Sequence, residues 1–321
     1  MLTLTRRSIV LGAAAVPFAA RAQNWPAGPI RIIVPFPAGG SVDAVARMVQ
    51  PGLQQRLGAT IIVENRPGAS GSSGTGVVAK APADGNSWVF VFDTHAVNPF
   101  LLASMPFDTE KELDPVLLIG TAPNLLATHP SRPFKTFADV VAAAKTRPNI
   151  TYATIGGGSL GHLTMVLLSK RAGVELVHVP YRGGGPAMND AVAGHVDLII
   201  GSTALVTPHA QGGRVRPIMH TGKTRLASLP DVPSAIDSGF ADFESYAWWG
   251  VFTAAGTPKA IVDRFGAALA DSLRAEQVAK LVRESQQITP VLGGPEELRR
   301  FLAEQMKVWG PVVRDNNIKG E

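Results

Sequence analysis

The sequence predicts an α/β fold built on an open sheet with helices on both faces. Two observations carry that expectation. Runs rich in β-branched and aromatic residues alternate with amphipathic helical patterns along the whole of the 321 residues. Several of those runs stop in a glycine turn that opens directly into the next helix, as strands of open α/β sheets do. Composition sets the scale: at 45% hydrophobic and 17% charged, the chain can bury a large core in one large domain or two smaller ones.

Taken in order, strands are expected at 30 to 36, 60 to 64, 87 to 92, 124 to 128, 150 to 154, 176 to 179, 196 to 201, 215 to 220 and 246 to 254. Helices fill most of the gaps, at 41 to 57, 74 to 80, 136 to 146, 160 to 171, 185 to 193, 204 to 211, 258 to 274 and 295 to 307. The helix from 41 carries Val42, Val45, Val49 and Leu53 at the spacing of one face. Pro51 should kink it or end it early. The Gly-Ser-rich stretch from Pro67 to Gly76 is too rich in glycine to be rigid unless something ties it down. No convincing internal repeat or low-complexity linker marks a domain boundary.

The start of the chain reads as an export signal. Arg6-Arg7 precede the apolar run Ile9 to Ala20, and Ala20-Arg21-Ala22 offers a cleavage site before Gln23. Residues 1 to 22 are therefore set apart from the fold, and Thr5 to Val10 resembles a twin-arginine signal, which leaves Sec and twin-arginine export both open. No later segment has the roughly 20 continuous apolar residues a spanning helix needs. The absence of cysteine excludes disulfides, thiol nucleophiles and a lipidated N-terminal cysteine. Arg6, Arg7 and Arg21 leave with the signal, so the net charge falls from +5 to +2. No basic block remains to hold nucleic acid.

The junction from Pro35 to Arg47 carries the most chemistry. A buried strand stops at Pro37-Ala38-Gly39-Gly40 and opens into a helix, which aims free N–H groups and the positive end of the helix dipole at whatever sits above. An anion is the natural guest. The same pattern fits ordinary capping by Ser41 with an Asp43–Arg47 pair one turn apart, and pattern alone leaves both open. Replacing Gly39 or Gly40 with Val is expected to block close approach and any positive φ.

Gly156-Gly157-Gly158-Ser159-Leu160-Gly161-His162 repeats the strand, glycine turn and helix logic. It also spells G-x-S-x-G, the nucleophile-elbow pattern, with Asp197 followed by His209 or His220 as a loose match to the acid and base. A secreted serine hydrolase using Ser159 is the alternative function on that ground. Tyr181 to Asp190 is a third such turn, with Pro186 near the first helical turn where a missing N–H costs nothing. The seven histidines are scattered without metal-ligand spacing, and no phosphate-binding loop or convincing dinucleotide fingerprint is present, so no metal, cofactor or nucleotide is expected.

These turns belong to a longer series. Pro29-Ile30-Arg31 with Pro35 to Gly40, Val63 to Ala69, Ala79 to Pro82 with Asp84-Gly85, and His95 to Pro99 come first. Gly158-Ser159 with His162-Leu163, His178 to Gly183, Pro186-Ala187, Pro208-His209, Leu229 to Pro233 and Ala255 to Pro258 follow in one order over nearly the whole mature chain. In that order they resemble the periplasmic solute receptors of tripartite tricarboxylate transporters, often called Bug receptors. The resemblance implies a type II periplasmic-binding-protein fold, with two α/β domains, two interdomain crossovers and a ligand cleft between them. The crossings are expected near Thr121 to Pro123 and near Thr221 to Lys223, making domain 1 residues 23 to 122 plus 223 to 321 and domain 2 residues 123 to 222.

The resemblance also implies a function: capture of a small carboxylated solute in the periplasm, without catalysis, and delivery to membrane permease subunits. A di- or tricarboxylate, an amino acid and an aromatic acid all fit, a monomer is expected, and a periplasmic sensor subunit would need the same closed form. Expected ligand-binding residues are Phe36, Ala38, Gly39, Gly40 and Ser41 in the first turn and Ser70, Thr94 and His95 beyond it. Ser159, Gly161 and His162 follow in the second turn, with Tyr181, Gly183, Pro186 and Asp190 in the third. Arg182 stands where the family often has Lys and could supply charge, with an exposed surface arginine as the more ordinary reading. Two departures from the family pattern are Val166, where an acidic residue is common, and Asn86-Ser87 in place of an aromatic-Thr pair.

Overall fold

The computed structural model describes residues 25–319, and the expected export signal lies outside them. β1 (Ile30–Val34), α1 (Ser41–Leu57), β2 (Ile61–Asn65), α2 (Ser72–Ala79), β3 (Ser87–Val91), α3 (Thr94–Leu101) and β4 (Leu113–Thr128) come first. α4 (Phe137–Thr146), β5 (Thr151–Thr154), α5 (Leu160–Ala172), β6 (Val177–Pro180), α6 (Gly184–Ala193), β7 (Leu198–Ser202), α7 (Thr203–Gln211) and β8 (Arg216–His220) follow. β9 (Tyr246–Ala254), α8 (Lys259–Arg274), α9 (Glu276–Glu284), β10 (Thr289–Gly293) and α10 (Pro295–Asp315) complete the described elements. Every strand and helix expected from the sequence is present.

The strands run in the order β2-β1-β3-β9-β4-β7-β5-β6, with β8 and β10 also paired to β4. β1 is parallel to β2 and β3, and β5 is parallel to β6 and β7. The 16-residue β4 joins the two groups: its residues up to Pro123 pair with β9, and Asn124 to Thr128 pair with β7 and β8. Because side chains alternate across a strand, each group presents two apolar faces. Trp88, Phe90 and Trp249 pack with Val45, Val49 and Phe265 on one side, while Val89, Val91, Trp248 and Phe252 pack with Leu298 on the other. In the second group Leu198 and Ile200 face Met165 and Phe137, and Ile199 faces Met188 and Val206.

Between the groups, Val97 and Leu101 of α3, Leu160 and Leu163 of α5, and Trp309 and Val313 of α10 form one buried cluster. That packing explains why α10 runs past the expected end at 307: its last turns bury Trp309 and Val313 rather than fraying. α1 continues through Pro51 to Leu57 and closes on Gly58 in the left-handed conformation. The sequence pattern missed α3, α9, β10 and the first half of β4. Pro115 and Gly120 interrupt that half at two register shifts, which hide its period of two.

The Gly-Ser stretch is tied down. Ser70 O accepts from Thr94 Oγ1 at 2.8 Å and Asn98 Nδ2 at 3.1 Å, and Thr75 Oγ1 donates to Gly71 O at 2.8 Å. Side chains from α3 thus supply the order that the glycines do not.

Candidate functional site

The turn after β1 is built around one carboxylate. Asp43, only 3% exposed, accepts from Gly39 N at 2.9 Å, Asn65 Nδ2 at 3.0 Å and Arg47 Nε at 2.9 Å. Asn65 Nδ2 also donates to Phe36 O at 3.1 Å, so β2 holds both ends of the turn. Burial pushes the Asp43 carboxyl up, but its bonds to Arg47, Gly39 and Asn65 outweigh that and hold it below the usual carboxylate value. Gly40 is the N-cap, without a side-chain cap bond, and Ser41 begins the helix. The Ser41 and Val42 N–H groups have no partner among the described residues. Gly39 needs its φ of +83°, whereas Gly40 sits at φ −74° and ψ 169°, which any residue adopts.

Two adjoining cavities lie over the strand ends. One, of about 460 Å³, is lined by Phe36, the Gly68 to Gly71 turn, Thr94, Gly156, Gly157 and Tyr181 to Gly183. The other, of about 440 Å³, is lined by Ala38 to Val42, by Gly184 to Pro186 at the start of α6, and by Ser202 and Leu205 at the start of α7. Phe36, Pro37, Ile155 and Gly183 line both, so the two cavities meet at these residues. Phe36 is fixed there by an edge contact with Phe92, ring centroids 6.1 Å apart.

The second glycine turn differs from the first in having most of its donors occupied. Gly158 N donates to His162 Nδ1 at 3.1 Å, Gly156 N to Thr154 Oγ1 at 3.3 Å, and Ser159 N to Gly156 O at 3.3 Å. Leu160 N lies against the carboxyl of Asp93, which burial raises to about 8. Gly157 N has no partner among the described residues, and Gly157 O accepts from Ser70 Oγ at 3.2 Å. Ser159 is fully buried; its hydroxyl donates to Gly156 O at 2.8 Å and caps α5 through His162 N at 3.4 Å. Asp197 bonds Thr151, and His220 Nδ1 accepts from Gly222 N. Neither these groups nor His209 hydrogen-bonds Ser159 among the described residues, so the arrangement that nucleophilic attack needs is not assembled at this serine.

Behind this turn, the rings of His162 and His178 stack with centroids 3.7 Å apart, and Tyr152 stacks on His178 at 5.1 Å. Thr154 Oγ1 gives its proton to Gly156 O at 3.0 Å, so His178 Nε2, 2.7 Å away, is the donor to Thr154. Burial lowers His162 to about 3, helped by His178, and lowers His178 to about 4. Both imidazoles are neutral and act as props for the turn.

In the third turn, Tyr181 OH donates to Asp190 at 2.6 Å, and Asp190 also meets His195 Nδ1 at 3.3 Å. Burial and the Asp190 carboxylate raise the Tyr181 phenol to about 12. Of the residues expected from the sequence, Phe36, Ser70, Thr94, Tyr181 and Gly183 line the first cavity. Phe36, Ala38, Gly39, Gly40, Ser41, Gly183 and Pro186 line the second. His95, Ser159, Gly161, His162 and Asp190 line neither. His95 is buried between Phe107 and Phe252, and burial lowers it to about 3. Gly161 lets α5 approach β7, where an added Cβ would stand 3.1 Å from Ile200 O. Ser202, the last residue of β7, is a lining residue that the sequence reading did not single out, and its place at a strand-to-helix junction is the signal that could have found it; Arg182, noted from the sequence for its charge, lines the first cavity.

Comparison with known proteins agrees with this architecture. The family model described as tripartite tricarboxylate transporter family receptor matches residues 45–318. BugT of Bordetella pertussis is 32% identical over 325 residues, covering 99% of this chain and 99% of its own. The structure of the periplasmic binding protein BugD superposes with a TM-score of 0.86 at 29% identity, covering 92% of this chain and 100% of that one. An R. palustris protein, Rpa4515, solved with adipate, gives a TM-score of 0.87 at 30% identity, covering 92% and 99%. The chain thus belongs to the tripartite tricarboxylate transporter receptor family and carries the two-domain α/β fold of its periplasmic binding proteins.

Proposed function

We propose that this chain captures a small carboxylated solute in the periplasm and presents it to the permease of a tripartite tricarboxylate transporter. The observation that carries the reading is the turn of Asp43, Gly39 and Asn65, which is rigid, lines a cavity and offers unpartnered N–H groups at the head of a 17-residue helix. One carboxylate sits there, bridged by water where it does not reach the backbone directly. The adipate of the R. palustris relative supports the chemical class. The export signal at residues 1 to 22 delivers the chain to the periplasm, where it acts as a monomer.

In this reading the lobes are residues 23 to 123 with 246 to 321 and residues 124 to 245, which moves the second crossing from the expected Thr221 to Lys223 to near residue 245. The later second crossing is supported by packing: Leu226, Leu229 and Val232 pack with Ala187 and Val206, and Ala235 and Phe243 pack with Met219. The cavities then lie between lobes, and a hinge at the two crossings closes them.

Titration calorimetry with carboxylates, adipate first, tests the reading through the first turn. Gly39→Val forces a β-branched residue to φ +83°, a strain of about 1–2 kcal/mol, and is expected to weaken binding at least ~10-fold. Gly40→Ala, at an ordinary φ with its new Cβ 3.4 Å from Pro37 O, should bind within a few-fold of wild type. Unchanged affinity in Gly39→Val would remove the turn from the site.

A further inference from the structure

Arg182 lies between β6 and α6 and lines the first cavity. Its neighbours in that lining are prolines, glycines, Ala69, Phe36, Ile155 and the hydroxyl residues Ser70, Thr94 and Tyr181. Tyr181 is neutral, since its phenol is raised to about 12. The second cavity adds Asn189, Gln286 and His209, and burial lowers His209, helped by Arg214. Among the described residues lining either cavity, Arg182 is the one that carries a full charge at neutral pH, and none is an Asp or Glu. Asp190, the acid on the helix that follows, is engaged by Tyr181 and His195. The Arg182 guanidinium has no ion pair with any described residue, in contrast to Arg31, Arg47 and Arg66.

That distribution of charge has a chemical meaning. A solute with an ammonium group would meet a cation and find no carboxylate to pair with, at a cost that disfavours it. A solute with a second anionic group would find one unpaired guanidinium, whose planar fork suits a carboxylate. Taking the site as the carboxylate receptor proposed above, we propose that Arg182 is its charge-selecting residue: it favours a solute whose far end is a second carboxylate over one whose far end is apolar or cationic. Arg182 is exposed, so water screens the pair and the selection it gives is about threefold to fivefold rather than thousands.

The test uses the mature chain and matched pairs of acids, each α,ω-dicarboxylate against the monocarboxylate of the same chain length, with Arg182→Gln and Arg182→Lys beside wild type. Melting temperatures of the uncomplexed variants should match wild type, because the side chain is exposed and unpaired. Wild type is expected to prefer the dicarboxylate about threefold to fivefold, Arg182→Gln to lose that preference without weakening the monocarboxylate, and Arg182→Lys to restore much of it. High salt should shrink the wild-type preference. Equal affinity for the paired acids in wild type, or an equal loss for both in Arg182→Gln, overturns the assignment of Arg182 while leaving the receptor reading intact. Failure of wild type to bind any member of either series overturns both.

Discussion

Asp43→Ala is expected to lower both stability and solute affinity, because one buried carboxylate holds the turn that lines both cavities. Removing it leaves the Gly39 N–H and the Asn65 amide without the partners they have at 2.9 and 3.0 Å. Arg47 is half-exposed and escapes to water, so the loss falls on the Gly39 N–H and the Asn65 amide, whose bonds to Asp43 are part-buried. With both bonds part-buried, the cost is about 1–2 kcal/mol of unfolding free energy. Because Asn65 also holds Phe36 O, Phe36, which lines both cavities, shifts with the turn, and carboxylate affinity should fall at least ~10-fold. Asp43→Asn, which keeps one acceptor oxygen, should lie between. Denaturant unfolding and calorimetry check both effects; a variant with wild-type stability and affinity would show that the turn is held by something else.

Acid is expected to destabilise the fold through the stacked imidazoles. His162 and His178 titrate near 3 and near 4 in the folded chain and near 6.5 when unfolded. Between those values the unfolded chain binds more protons than the folded one, so stability rises with pH. Their contribution is complete above about 6.5 and is lost as pH falls toward 4 and then 3. For His162 alone this amounts to on the order of 4 kcal/mol. A protonated His162 Nδ1 can no longer accept from Gly158 N, so the turn that lines the first cavity loosens as the charge appears. Asp93 works in the opposite direction: its folded value near 8 means the folded chain keeps a proton that the unfolded chain has shed between about 4 and 8. His162→Asn separates the two, since Oδ1 can still accept from Gly158 while the titration is gone. The fall in unfolding free energy between pH 6.5 and 4 should be smaller in His162→Asn than in wild type, and equal falls would contradict the role given to the pair.

These two sites also mark what the sequence could reveal. The Asp43–Arg47 pair and the strand, turn and helix order around it are local, and local pattern was enough to find them. Asn65, which completes the clamp from β2, stands 22 residues from Asp43, and no short-range pattern reaches it. The second glycine turn looked equivalent to the first because both have the same spacing. His162, Thr154 and Asp93 occupy its donors, and only tertiary structure brings Asp93 to Leu160. α3 was hidden because Thr94, His95, Asn98 and Pro99 are poor helix formers; packing of Val97 and Leu101 against α5 and α10 overrides that propensity. From the sequence Arg182 could supply charge or be an ordinary surface arginine; the cavity lining, which holds no acid among the described residues, is what favours the first.

The most direct test of the account is thermal unfolding of residues 23 to 321 against mono-, di-, tri- and aromatic carboxylates and amino acids, with mass analysis of each compound afterwards. A selective carboxylate at about 100 times its Kd should stabilise the chain by roughly 2.7 kcal/mol and be recovered unchanged. No stabilisation by any carboxylate, or recovery of a cleaved product, would contradict a receptor that holds its solute through the turn of Gly39 and Asp43.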